Sequence, residues 1–534
     1  MKHIQSKPLL ALLVIAATLG FLGCTFQSKP SSNPQDSADE EALYRPEFHF
    51  TPKSNWMNDP NGMFYFEGKY HLYFQHYPDK NVWGPMHWGH AESRDMIHWE
   101  EKPIALYPDS LGYIFSGSAV VDHQNTSGFG TDGTIPIVAM FTHHDMEKEI
   151  AEQVDVESQS IAYSLDQGLT WTKYSGNPVI ANPNIRDFRD PKVFWHEATQ
   201  KWVMVLAAHD QVMIYGSPDL KEWTYLSSFG KHAGNHDAVW ECPDLFPLPV
   251  AGEEQQKYVL LVSNSRNSLA SGSATQYFVG DFDGTHFRMD PHFEQELKSK
   301  KNFWMDFGKD NYAGVSWQNI QRPSGNRLLI GWMSNWEYAT KVPTQGWRSA
   351  MTIARELSLK PLDSSYRLIS QPVEELQAYQ KSLFKEGLIK ITPQKPWQQP
   401  VRFPAELRIS FVKPQSGQLK FSMTSAKGNR VDWGFDVEQN QFFLDRKTSG
   451  IVDFSPSFAD QAAIAPRLTT QDSIQARVLI DKTSIEIFWD EGLSTMTSIF
   501  FPQAPMDQLS IATSKEIVDI VALEIFEIDL SQHP

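Results

Sequence analysis

Three acidic residues stand at the same place in three copies of one strand pattern. Asp59 lies in WMNDPNG (56–62), Asp190 in FRDPKVF (188–194) and Glu241 in WECPDLF (240–246). Each stands near the start of an apolar strand, and a second strand follows each one: KYHLYFQHY, KWVMVLAAH and KYVLLVSNS. Five such units can be read, beginning near Asp59, Phe115, Asp190, Glu241 and Tyr312. A repeat of about 40–70 residues with several strands per unit predicts a β-propeller. The first strand of each blade lines the central axis of a propeller. Residues at the same end of those strands therefore converge on one pocket, and three carboxylates from different blades are predicted to meet there.

A second repeat supports the first. Ser93 to Trp99, Ser164 to Trp171 and Ser217 to Trp223 share a Ser-x-Asp…Trp pattern, with Gly280 to Phe287 as a looser copy. Ser and Asp in such turns bond their own backbone, and the aromatic residue enters the next strand. These aspartates are read as hairpin residues without a chemical role. The strand repeats occupy residues 45–367. Residues 368–384 carry apolar positions at helical spacing, Val373, Leu376 and Leu383, behind Pro372 and two glutamates, which predicts a linker helix. From 385 to 534 the strands alternate again between turn signals, which predicts an antiparallel β-sandwich. The fold class is all-β: a five-bladed β-propeller followed by an antiparallel β-sandwich.

Residues 1–23 read as a secretory signal: Lys2, His3 and Lys7, then a short apolar run ending in Gly23 before Cys24. The run is short for a spanning helix. The Gly23-Cys24 junction resembles a bacterial lipoprotein signal, with Cys24 lipidated and residues 24–44, rich in Ser, Pro, Asp and Glu, as a flexible tether. The protein is therefore expected to be exported and held to a bacterial cell membrane by lipid. Cys242 is the other cysteine, so the core must rely on packing instead of disulfides. A formal net charge of −17 argues against nucleic acid or an anionic polymer as partner and is compatible with a neutral sugar.

WMNDPNG, FSGS (115–118), FRDP, WECPD, GWMSNWEY (331–338) and WRSAMTIARELSL (347–359) occur in an order that resembles glycoside hydrolase family 32, whose members include levanases, exo-inulinases and invertases. The resemblance implies a retaining mechanism, which needs one carboxylate as nucleophile and one as acid and base. It implies Asp59 as nucleophile, Glu241 as acid/base and Asp190 as a catalytic binder of fructose hydroxyls. Glu241 is expected to take a raised pKa from its acidic neighbours, with Asn58 among the donors holding Asp59 ionised. The resemblance also implies a fructosyl pocket lined by Gln75, Trp83, Phe115, Ser116 and Arg189. Trp332 and Trp336 are candidates for a sugar-stacking wall. Cys242 reads as a small buried residue beside the acid. His143-His144 reads as a strand-end pair. No zinc-like spacing and no nucleotide-binding glycine motif is present, so neither metal nor cofactor is expected.

The resulting expectation is an exo-acting hydrolase that releases terminal fructose from levan, inulin or fructo-oligosaccharides. A sucrose-preferring invertase grips the same terminal fructose and differs only on the leaving-group side. An inverting propeller hydrolase of arabinans or xylans would use three acids but does not fit the WMNDPNG and WECPD flanks. A non-catalytic glycan-binding propeller would tolerate loss of the acids, and all three are present.

Overall fold

The computed structural model describes residues 41–532, apart from 270, 271, 301 and 321. The signal segment and Cys24 lie outside the described residues. Five of the sheets are propeller blades, each running in chain order from the axis outward. Blade 1 comprises Asn55–Phe66, Lys69–Tyr77, His87–Ser93 and Glu100–Leu106. The axial strands of blades 2 to 5 are Tyr113–Val121, Phe188–His196, Trp240–Pro249 and Tyr312–Ser316. Blades stack face to face, so the inner strands are buried on both sides and carry few alternating polar residues. Only the outermost strands, such as Glu100–Leu106, are half exposed.

The ring closes between blades 5 and 1. Asn55 and Trp56 pair in parallel with Trp347 and Arg348, and the Gln318 amide donates to the Met63 carbonyl. The repeated turns sit at the rim of blades 1 to 3. In blade 1 the Ser93 hydroxyl accepts from the amides of Asp95 and Met96, the Asp95 carboxylate accepts from Ile97 and His98, and the Trp99 indole donates to the Met96 carbonyl. Ser164, Asp166 and Trp171 repeat this around Gly168, and Ser217, Asp219 and Trp223 around Leu220. Their side chains close hairpins far from the axis.

The predicted linker helix over 368–384 does not form. Ser365–Pro372 completes blade 5, Glu374–Tyr379 makes a short 3-10 turn, and Gln380–Glu386 is a strand on the edge of the sandwich. Leu376 is buried as the helical spacing suggested, and so is Tyr379, but Leu383 is exposed. Pairing of Gln380–Glu386 with Val518–Ile528 satisfies the backbone there and outweighs helical spacing. At the other end, Tyr44, read as tether, is buried against Phe501 with ring centroids 5.7 Å apart. The sandwich joins two antiparallel sheets over a shared core that includes Trp433, Phe442 and Trp489.

Propeller and sandwich are locked by buried charge. Arg355 of blade 5 donates to Asp306 (2.9 Å) and to Glu486 of the sandwich (2.5 Å). His49 bridges Asp481 and Glu486, and these two acids push its pKa up to about 9 despite burial, which opposes the charge. Arg446 of the sandwich reaches Asp310 (2.5 Å), the Tyr338 hydroxyl (2.7 Å) and the Ile499 carbonyl (2.8 Å). Removing one member leaves the others buried and unpaired. Arg446→Met should therefore destabilise the protein by about 3–5 kcal/mol, measured by chemical denaturation. A loss below about 1 kcal/mol would mean that water replaces the pair.

Candidate active site

A β-bulge interrupts every axial strand at the same level. The register shifts fall between Met57 and Pro60, Ile114 and Gly117, Arg189 and Lys192, Glu241 and Asp244, and Tyr312 and Val315. A bulge frees a residue from the strict in-and-out alternation of a strand and turns its side chain. The turn demands unusual backbone: Asp190, Cys242 and Ala313 all have left-handed φ, at 63°, 46° and 52°. At Gly117 of FSGS the chains approach so closely that a Cβ would lie 2.0 Å from the Met140 carbonyl oxygen. The five bulges crowd Asp59, Asp190 and Glu241 into one pocket of about 390 Å³ at the starts of the axial strands.

The pocket also brings together Asn58, Gln75, Trp83, Phe115, Ser116, Arg189 and Trp336. Trp332 is not on the wall. It is fully buried behind Trp336, with ring centroids 4.9 Å apart, because its strand Arg327–Met333 is the second of blade 5 and not the axial one. Trp336 stacks on Trp56 at 6.0 Å. The Trp56 indole donates to Asn58 Oδ1 (2.7 Å), which fixes the Asn58 amide beside Asp59. Gln75 Nε2 and Asp59 Oδ1 are buried without a partner in the protein. Such atoms are costly unless something else completes them, and both residues line the pocket.

Cys242 sits between two of the acids. Its amide donates to Asp190 Oδ2 (3.0 Å), and its thiol lies 3.6 Å from Asp59 and 3.7 Å from Asp190. Burial and the three carboxylates push the thiol well above its ordinary pKa, so it is a neutral donor. Arg189 is not the ion-pair partner of its neighbour Asp190. It donates to Glu157 (3.1 Å), Asp187 (2.8 Å) and Glu241 (2.9 Å). Tyr312, the first residue of the fifth axial strand, donates its hydroxyl to the other Glu241 oxygen. His144 stacks flat on Phe115 at 4.2 Å and places Nδ1 3.3 Å from Glu157. It thus belongs to the pocket as well as to a strand end. Glu157, Asp187, His144 and Tyr312 were not identified as site residues from sequence. Tyr312 had a usable signal, since it opens the fifth repeat as Asp59 opens the first.

Burial, followed by repulsion from Glu241 and Asp190, raises the Asp59 pKa to about 8. Burial raises Asp190 to about 7, with the Arg189 charge working against it. Glu241 is held by two donors, Arg189 and Tyr312, while Asp59 has only the weak thiol and an amide. Protons on such a cluster belong to the group as a whole. Outside the pocket, His71, His90 and Glu92 lie close together inside blade 1, but Lys69 and Lys102 already hold the Glu92 carboxylate.

Residues 49–372 match the family description "Glycosyl hydrolases family 32 N-terminal domain", and residues 377–527 match "Glycosyl hydrolases family 32 C terminal". A levanase of Bacillus subtilis (strain 168) is 45% identical over 500 residues, which cover 93% of this chain and 72% of that protein. An extracellular exo-inulinase of Aspergillus niger is 40% identical over 86% of this chain and 90% of its own. The crystal structure of an exo-inulinase from Aspergillus awamori superposes with a TM-score of 0.83 at 36% identity, covering 91% of this chain and 98% of that one.

The raised Asp59 pKa has a stability consequence whose sign is fixed. The folded state holds a proton that the unfolded state releases between the ordinary value of 3.8 and about 8. Its stability is complete below pH 3.8 and declines as pH rises through 8. Asp59→Asn removes that titration. The melting temperature of the variant should gain on wild type steadily between pH 4 and 8, by several degrees at the upper end. A difference that stays flat across that range would contradict the burial argument.

Proposed function

The chain belongs to glycosyl hydrolases family 32, and on that premise we propose that it is a retaining, exo-acting fructan hydrolase that removes terminal fructose from levan, inulin or fructo-oligosaccharides. The observation that carries this is the convergence of Asp59, Asp190 and Glu241 on one pocket in a chain whose two domains both match the family. The relatives named above, a levanase and exo-inulinases, support the substrate class.

The chemistry divides into two displacements. In the first, the Asp59 carboxylate attacks C2 of the fructosyl unit. The bond from C2 to the leaving oxygen breaks, and that oxygen takes a proton from Glu241. A fructosyl ester of Asp59 remains. In the second, Glu241 takes a proton from water, the water oxygen attacks C2, and the ester bond breaks to restore Asp59. Asp190 accepts hydrogen bonds from fructose hydroxyls. Positive charge developing at C2 favours the Asp59 anion that the empty pocket disfavours, so the raised pKa of the free state falls as the transition state forms. The substrate-free cluster supplies the proton that the leaving group needs. Asn58 and the Cys242 thiol orient Asp59, and Arg189 positions Glu241. Trp83 and Trp336, both on the pocket wall, favour a chain end over a mid-chain unit.

Asp59→Ala should lower turnover by about three orders of magnitude or more without loss of folded protein. A variant that keeps a tenth of wild-type turnover would remove Asp59 from the role. The wild-type enzyme should release free fructose from levan and inulin at the earliest times. A ladder of oligosaccharides appearing before fructose would make the enzyme endo-acting. Hydrolysis of sucrose much faster than of either polymer would favour the invertase reading.

Export and a lipid anchor at Cys24 complete the reading, with the enzyme tethered to the cell membrane. The relatives support export, as one is described as extracellular. A diacylglycerol with its two chains holds a protein firmly, whereas one chain binds reversibly. The full-length protein should partition into detergent after expression in a bacterium, and Cys24→Ser should abolish that partitioning. A wild-type protein found wholly in the aqueous phase, with a mature start beyond residue 24, would overturn the anchor.

A further inference from the structure

The axial strands have two ends, and the bulges crowd the acids at the first. At the second lies a cavity of about 470 Å³, between the ends of the axial strands of blades 2 to 5. Its wall includes Trp195, Phe246, Gln318, Arg327, Asp122 and Glu197. None of these residues touches the catalytic pocket. The two cavities share no lining residue, and the axial strands carry a buried ion pair, Lys192 with Asp244 at 3.2 Å.

Two polar groups in the second cavity are incompletely used. Gln318 is 7% exposed, and its Nε2 has no partner in the protein. Arg327 spends its Nε on the Ser316 hydroxyl (2.9 Å), and its guanidinium lies 5.6 Å from the centre of the Phe246 ring. The nearby acid, Asp244, gives its Oδ2 to Lys192 and to the Ser316 amide, and its buried Oδ1 has no partner in the protein. Burial pulls the Arg327 pKa below its ordinary value, with Asp244 opposing only in part. Trp195 donates its indole N–H to Glu197 (2.7 Å). What it has left to offer a ligand is its half-buried ring.

An aromatic ring beside a free amide donor and a guanidinium is the chemistry of a sugar site: the ring takes an apolar C–H face and the donors take hydroxyls. A polyanion fits poorly. Asp122 and Glu197 stand on the same wall, and the chain carries a net charge of −17. The Asp122 carboxylate is saturated by the amides of Thr126 and Ser127 and the Thr126 hydroxyl, so it gives the wall rigid shape.

We propose that this cavity at the far mouth of the propeller is a second saccharide site that holds a segment of fructan away from the catalytic pocket. The ligand's identity rests on the fructan reading of the enzyme; the cavity's suitability for a neutral sugar does not. Holding polymer at a second point raises the local concentration of chain ends at the first, an effect that a short substrate cannot share.

Trp195→Ala and the isosteric Gln318→Met test this in the full-length enzyme. Each should raise KM on levan or inulin by about threefold or more and leave kcat on that polymer unchanged. On the trisaccharide 1-kestose, kcat and KM should both stay at wild-type values, which also shows that the variant folds. Calorimetric titration of full-length Asp59→Ala with a fructo-oligosaccharide should find two sites, and adding Trp195→Ala should leave one. One site in both proteins, or an equal KM rise on polymer and trisaccharide, would overturn the proposal. So would a second site that takes glucose-based oligosaccharides and rejects fructans. Failure of the fructan reading itself shows separately, as a wild-type enzyme that releases no fructose from any of these substrates.

Discussion

The bulge repeated in all five axial strands is the constraint on which the site depends. A regular strand sends alternate side chains to opposite faces, and in a propeller both faces are covered by neighbouring blades. The bulge turns the chain at one level and delivers Asp59, Asp190 and the Glu241-Cys242 pair inward. It holds Asp190 and Cys242 at left-handed φ, a strain of about 1–3 kcal/mol for each such residue. The stacked blades, with axial strands buried on both faces, over-determine this conformation. The same crowding out of water raises the Asp59 carboxyl to about 8 and Asp190 to about 7.

Legibility in the sequence followed the range of the interactions involved. Strand units and their hairpins were readable because their signals are local: a Ser-x-Asp turn closes on its own backbone within five residues. The three acids were readable because the repeat put them in register. The relay from His144 through Glu157 and Arg189 to Glu241 was not, because its members come from blades 2, 3 and 4 and neither His144 nor Glu157 lies in a motif. Arg189 illustrates the point. It adjoins Asp190 in sequence, yet its guanidinium donates to Glu157, Asp187 and Glu241 instead. Trp332 failed for another reason: its strand is the second of blade 5 and not the axial one, which buries it behind Trp336. Helical spacing over 368–384 gave way to a sandwich edge that needed a pairing strand.

Both ends of the axis are hollow, and their chemistry differs. At one end three carboxylates are held together against repulsion, beside the donors Arg189 and Gln75. At the far end lie donors short of acceptors, Gln318 and Arg327, beside aromatic rings. The two cavities share no lining residue. The sandwich contributes to neither wall among the described residues. Its buried contacts, through Arg355, His49 and Arg446, fix the segments 304–311 and 347–355 that frame blade 5.

The claim that Asp59 forms a covalent fructosyl intermediate while Glu241 handles the proton is tested most directly by the stereochemistry of the first product. Proton NMR of fructose released from a fructo-oligosaccharide, recorded before mutarotation, reports the configuration at C2. Two displacements at that carbon predict that the β configuration of the substrate appears first. First-formed α-fructose would mean a single displacement by water and would contradict the role assigned to Asp59.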